Sequence, residues 1–152
     1  DVNFLGIEWA RLYWRMMCDR LRRHNLHANT RGLRADAAKF VPEFLADGCL
    51  DVVHVYFPDP WPKARHNRRR LLQPPFIEQV HRILKPDGRL NIVTDHLDYW
   101  QEIEPAVHES KLTVVEYERP ATARDGEFVG TNFERKFINE GREFHAIAAE
   151  KR

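Results

Sequence analysis

An α/β fold built on a mostly parallel sheet is what this sequence predicts, and three observations predict it. Short apolar runs that read as buried strands alternate with stretches of helical spacing along all 152 residues. Four acids, Glu8, Asp36, Asp59 and Asp95, fall at or just beyond the ends of those runs. Apolar residues make up 43% and charged residues 31%, a balance that excludes a disordered chain and suits one packed domain over residues 1–152.

Each element has its own warrant. Residues 3–8 are apolar and end in an acid, as a buried strand does. Residues 9–24 carry Leu12, Met16 and Leu21 among arginines, the spacing of a helix. A short strand is expected over 30–34 and a helix over 38–45, stopped by the turn signal Asp47-Gly48. A strand over 51–57 precedes a Pro/Arg-rich loop. The apolar positions Phe76, Val80, Ile83 and Leu84 predict a helix over 76–84. Lys85-Pro86-Asp87-Gly88 reads as a tight turn into a strand over 89–94. A helix over 97–109, a strand over 112–118 and a last pair of strands over 133–138 and 143–150 complete the order. In a parallel sheet ligands gather at the carboxyl ends of the strands, so the four acids mark one expected edge. Each acid alone is also an ordinary helix cap or turn residue.

Charge is distributed unevenly. The net charge is +1, yet residues 1–90 hold 16 Lys/Arg against 10 Asp/Glu, and the remainder is acidic. No stretch approaches the roughly 20 apolar residues of a membrane span, and the start has no leader pattern, so neither membrane nor secretion is expected. Cys18 and Cys49 stand apart, and the histidines form no ligand spacing with them, so no metal is expected. His54, inside an apolar strand, reads as a satisfied core histidine.

The densest signal follows that strand: Tyr56-Phe57-Pro58-Asp59-Pro60-Trp61-Pro62-Lys63-Ala64-Arg65-His66-Asn67-Arg68-Arg69-Arg70. Two prolines restrict the backbone around Asp59, so the carboxylate is held in place. Trp61 suits stacking on a base or packing under the loop. Five cations in eight residues then suit phosphates, with Lys63, Arg65, Arg68, Arg69 and Arg70 as contacts to an RNA backbone. Glu8 suits a ribose, because a carboxylate accepts from both vicinal hydroxyls, and Asp36 suits an adenine amino group. No Gly-rich loop precedes Glu8, so the first strand and its glycine turn are expected to be missing from this chain.

Residues 3–8, the stretch from Phe57 through His66, Thr94-Asp95 and Thr131-Asn132-Phe133-Glu134 resemble the bacterial tRNA (guanine-N7)-methyltransferases, in family order. The resemblance implies a Rossmann-like class I methyltransferase, with seven strands, helices on both faces and S-adenosylmethionine as cofactor. It implies Glu8, Asp36 and Asp59 at the cofactor, with Asp59 also catalytic. It implies Lys63, Asp95, Thr131, Asn132, Phe133 and Glu134 at the guanosine or tRNA. The expected protein is a cytoplasmic enzyme, monomeric or homodimeric, that methylates N7 of a guanine in the variable loop of tRNA. The alternative is an RNA-binding module of the same fold that does no chemistry.

Overall fold

Strands β1 (Phe4–Glu8) and β2 (Thr30–Arg34) pair in parallel, from Phe4 opposite Thr30 to Glu8 opposite Arg34. Helix α1 (Arg11–Arg23) crosses over them at close range. A Cβ added at Gly6 or Gly32 would meet the Met17 side chain at 2.7 or 2.8 Å, and the Trp14 indole donates to the Gly32 carbonyl at 3.1 Å. Both glycines are therefore where helix and sheet touch most closely. Helix α2 (Ala37–Phe44) starts at Asp36, whose carboxylate accepts from the Ala38 N–H at 3.0 Å. These elements form a first unit ending at Leu45; the computed structural model describes residues 2–152, and the second unit runs Ala46–Arg152.

The second unit holds β3 (Leu50–Tyr56), α3 (Pro74–Ile83), β4 (Leu84–Thr94), α4 (Leu97–His108), β5 (Thr113–Val115), α5 (Asn132–Asn139) and β6 (His145–Glu150). Its sheet order is β3-β4-β6-β5, with β3 and β4 parallel and β6 antiparallel to both neighbours. Proline opens α3, where its missing N–H has no intrahelical partner to lose. The buried residues Phe76, Ile77, Val80 and Ile83 of α3, and Tyr99, Ile103, Ala106 and Val107 of α4, follow helical periodicity. Each large side chain so buried contributes about 1.5–3 kcal/mol. Leu90, Ile92, Val93 and Thr94 of β4 are buried in succession, as in a strand covered on both faces. No helix among the described residues is long and apolar enough to cross a membrane.

Three elements differ from the sequence expectation. The described residues hold six strands in two sheets, where seven in one were expected. The turn at residues 85–88 interrupts a ladder and does not precede one: pairing passes from Leu50–Leu84 to Val52–Arg89, with Asp87 at φ 62°. The segment 133–138, expected as a strand, is helix α5. Thr131 caps it by accepting from the Glu134 N–H at 3.2 Å, and Phe133 and Phe137 lie one turn apart on one side. The phenylalanines fit both a two-residue and a four-residue repeat, and the cap decides between them.

Candidate active site

Beyond β3 the ladder continues for one residue, with the Phe57 N–H donating to the Val93 carbonyl at 2.8 Å. The chain then turns sharply. Phe57 (φ 52°) and Trp61 (φ 45°) both lie in the left-handed region, and each directly precedes a proline. Proline disfavours the right-handed helical region for the residue before it. A left-handed aromatic costs about 1–3 kcal/mol and persists only where the surroundings enforce it. Between these two points Asp59 is exposed, and one carboxylate oxygen accepts from the Trp61 N–H at 3.0 Å. That Asx turn fixes the side chain at the crest of the loop.

The basic segment follows as a short 3₁₀ stretch, Ala64–Arg69. Lys63, Arg65, Arg68 and Arg69 are exposed. The Arg69 guanidinium lies 5.0 Å from the centre of the Trp61 ring, and His66 meets that ring edge-on at 5.9 Å. Arg70 departs from its expected phosphate contact. Its residue is only 3% exposed, and its guanidinium donates to the Pro60 carbonyl at 2.7 Å, Glu102 at 2.7 Å and Asp98 at 2.5 Å. The last arginine of the run is turned into the protein because two acids one helical turn apart await it on α4.

Asp95 stands directly after β4, in parallel with β3, so Asp95 and the Asp59 loop share the carboxyl edge of the four-stranded sheet. The Arg142 guanidinium holds Asp95 at 2.6 Å and lies 3.8 Å from the centre of the Phe137 ring. Phe57 joins this assembly: its ring is 5.2 Å from Phe133, 6.5 Å from Phe137 and 5.8 Å from Phe144. The aromatic cluster thus seats the start of α5 at the foot of the Asp59 loop. Phe133 remains 48% exposed, so part of its ring faces solvent.

Within the segment 131–134 the roles divide. The Thr131 hydroxyl caps α5, and the Asn132 side chain accepts from Arg135 at 3.3 Å. Glu134 is fully buried and accepts from three successive backbone N–H groups, those of Phe128, Val129 (3.1 Å) and Gly130 (2.8 Å). It therefore shapes the loop ahead of α5, which differs from the direct substrate contact expected of it. Glu8 and Asp36 lie at the carboxyl edge of the two-stranded sheet. Glu8 accepts from the Ala10 N–H at 2.7 Å, and Asp36 serves as the α2 cap.

The amino-acid sequence matches a family model described as "Putative methyltransferase" over residues 1–147. The chain belongs to that methyltransferase family. Family relatives named tRNA (guanine-N(7)-)-methyltransferase include proteins from Cupriavidus necator, Chromobacterium violaceum and Corynebacterium glutamicum. They are 42%, 43% and 45% identical over 65%, 65% and 55% of the chain. The matches span only 36%, 43% and 33% of those relatives, so the chain spans less than half their length. Solved structures share the fold. A SAM-dependent methyltransferase from Aquifex aeolicus matches 99% of this chain and 69% of its own, with TM-score 0.62 and 13% identity. A SAM-dependent O-methyltransferase from Thermotoga maritima matches 98% and 49%, with TM-score 0.59 and 18% identity.

In this family member Arg142, Phe137 and Phe144 stand at the candidate site and were passed over by sequence reasoning, while Phe57, part of the quoted motif, was given no role of its own. Arg142 is 47 positions from Asp95, and nothing local marks the pair. Asp98 and Glu102, by contrast, stood four apart on a predicted helix, a recognisable seat for a cation. Among the described residues no group of three His, Cys, Asp or Glu is placed to hold a metal ion.

His54 is satisfied, as expected, but it is exposed and not part of the core. The Tyr56 hydroxyl lies 2.7 Å from its Nδ1, and partial burial of the ring lowers its pKa below the ordinary 6.5. A histidine whose folded pKa is depressed contributes stability that is present above its unfolded pKa and lost as pH falls towards the folded value. Urea unfolding from pH 7.5 down to 5 is therefore expected to lower wild-type stability more steeply than that of His54→Gln. Parallel curves would refute the assignment.

Proposed function

We propose that the protein carrying this chain transfers the methyl group of S-adenosylmethionine to N7 of a guanine in tRNA. The observation that carries the reading is the joining of Asp59, Asp95 and the segment 131–134 at one sheet edge by the Phe57–Phe133–Phe137–Phe144 cluster. The names of the relatives support the substrate. Residues 1–152 would then act as one domain, and a tRNA substrate fits the cytoplasm.

The residues present suit the cofactor: Glu8 and Asp36 stand at neighbouring strand ends, and each uses one oxygen locally as an acceptor. Glu8 would take the ribose hydroxyls and Asp36 the adenine amino group. The cofactor supplies an electrophilic methyl on a sulfonium. Guanine N7 carries a lone pair and no proton, so the protein needs no base to prepare it. Its task is to align N7 and exclude water. Asp95 would accept from guanine N1–H and N2–H, with the ring against Phe133. Asp59 would stabilise the positive charge that develops on the purine as the bond forms.

The test is transfer of labelled methyl from S-adenosylmethionine to unmodified tRNA by the intact protein, with the modified base mapped. N7-methylguanine is expected, and label on protein or on another base position would overturn the reading. Lys63, Arg65, Arg68 and Arg69 would bind tRNA phosphates. Each phosphate contact contributes about 0.7–0.9 to the slope of log affinity against log salt. The double variant Arg65→Ala, Arg68→Ala is expected to flatten that slope by about 1.5. An unchanged slope would move the RNA surface elsewhere.

A further inference from the structure

The run of basic residues contains one cation that is turned into the protein. Arg70 is buried, and each of its three guanidinium nitrogens is engaged: Nε on the Pro60 carbonyl, Nη1 on Glu102 and Nη2 on Asp98. Its flat face lies 4.9 Å from the centre of the Tyr99 ring. Tyr99 is itself fully buried, and its hydroxyl accepts from the Leu72 N–H at 2.7 Å. One face of α4 therefore grips the loop at two places, at Pro60 through Arg70 and at Leu72 through Tyr99. Pro60 is the residue between Asp59 and the left-handed Trp61.

We infer that Arg70 is a positioning residue for methyl transfer, a clamp that ties the Asp59 turn to α4, and that it makes no contact with RNA. This rests on the proposed function, which assigns Asp59 its role. The physical reason lies in what the turn would do unaided. Two left-handed aromatics before prolines are unfavourable conformations, and the 3₁₀ stretch that follows is short and exposed. Relaxation at Trp61 would swing the neighbouring carboxylate. Arg70 opposes that relaxation because its planar fork meets three acceptors at once, a geometry that lysine cannot reproduce. The same helix begins two residues after Asp95, so the clamp also fixes the spacing between the two acids.

Burial alone would depress the pKa of Arg70, but its hydrogen bonds to Asp98 and Glu102 raise it overall, so the clamp stays charged at any working pH. The bond to Arg70 in turn lowers the pKa of Asp98.

The experiment compares the intact wild-type protein with Arg70→Lys and Glu102→Gln in three measurements. Turnover at saturating tRNA and S-adenosylmethionine is expected to fall about 100-fold in Arg70→Lys, the cost of a misplaced group. The tRNA dissociation constant and its salt slope are expected to match wild type. Amide hydrogen exchange at Asp59 and Trp61 is expected to quicken by roughly tenfold or more, the worth of a lost charge-assisted hydrogen bond. A salt slope reduced by about one contact would overturn the inference and return Arg70 to the RNA surface. Unchanged turnover together with unchanged exchange would overturn it as well. If Arg70→Lys fails to fold, Glu102→Gln decides: its amide oxygen can still accept from Arg70, but one of the two charges that hold the guanidinium is gone, and it must show smaller changes in the same two readouts. If wild-type protein transfers no methyl to tRNA, the proposed function fails, while the exchange measurement still tests the clamp.

Discussion

Asp59→Asn is expected to lower methyl transfer to tRNA by about 100- to 1,000-fold in kcat while leaving tRNA affinity close to wild type. The substitution is chosen to spare the fold. An amide oxygen still accepts from the Trp61 N–H, so the Asx turn survives, and the side chain is exposed, so no core is disturbed. On the proposed function, what is lost is the negative charge beside a purine that turns cationic as its N7 is methylated. Proline on both sides, the left-handed pair Phe57 and Trp61, and the Arg70 bond to Pro60 hold that charge in position before the substrate arrives. Such preorganisation makes a single carboxylate effective, because no energy goes into orienting it during the reaction. Steady-state kinetics with unmodified tRNA check the prediction. Wild-type kcat in Asp59→Asn would remove Asp59 from the mechanism.

Glu134→Ala is expected to destabilise the protein by roughly 3 kcal/mol or more, because three backbone N–H groups lose their acceptor in a buried setting. For a chain of this size that corresponds to a fall in Tm of roughly 6–12 °C. The loop at residues 128–130 would lose its shape, Gly130 with it. Gly130 adopts φ 72°, and a Cβ there would meet the Thr122 carbonyl oxygen at 2.7 Å. Glu134→Gln keeps one acceptor oxygen and is expected to fall between. Arg135 adds a second tie to the same loop: it donates to Glu127 at 2.7 Å, and that hydrogen bond lowers the carboxyl pKa of Glu127. Thermal unfolding measures both variants, and a wild-type Tm in Glu134→Ala would contradict the role assigned here. A direct substrate contact would instead raise KM with little change in Tm.

The legible part of this molecule was local. Alternating strands and helices, the turn after Phe57 and the acids at strand ends are written in short-range periodicity and in proline and glycine chemistry, whose effects extend over only a few residues. They located β1 to β4, α1 to α4 and the crest at Asp59. Helix α5 escaped because Phe133 and Phe137 satisfy two repeats, and the Thr131 cap that chooses between them looked like part of a binding motif. His54 was read as core because its neighbours in sequence are valines, while its actual neighbours are Tyr56 and Asn91.

The motif from Phe57 to Arg70 by itself determined that this chain carries a rigid acid beside a cluster of cations. Only the tertiary structure decided which charges are available. Arg70 and Glu134 look in sequence like their exposed neighbours, yet both are buried and spent on holding loops. Asp95, expected at the guanosine, has one carboxylate oxygen on Arg142 at 2.6 Å. The reason is the range of the forces involved. Backbone preference acts over a few residues and survives in the sequence, whereas a paired charge takes its role from partners 4 to 47 positions away.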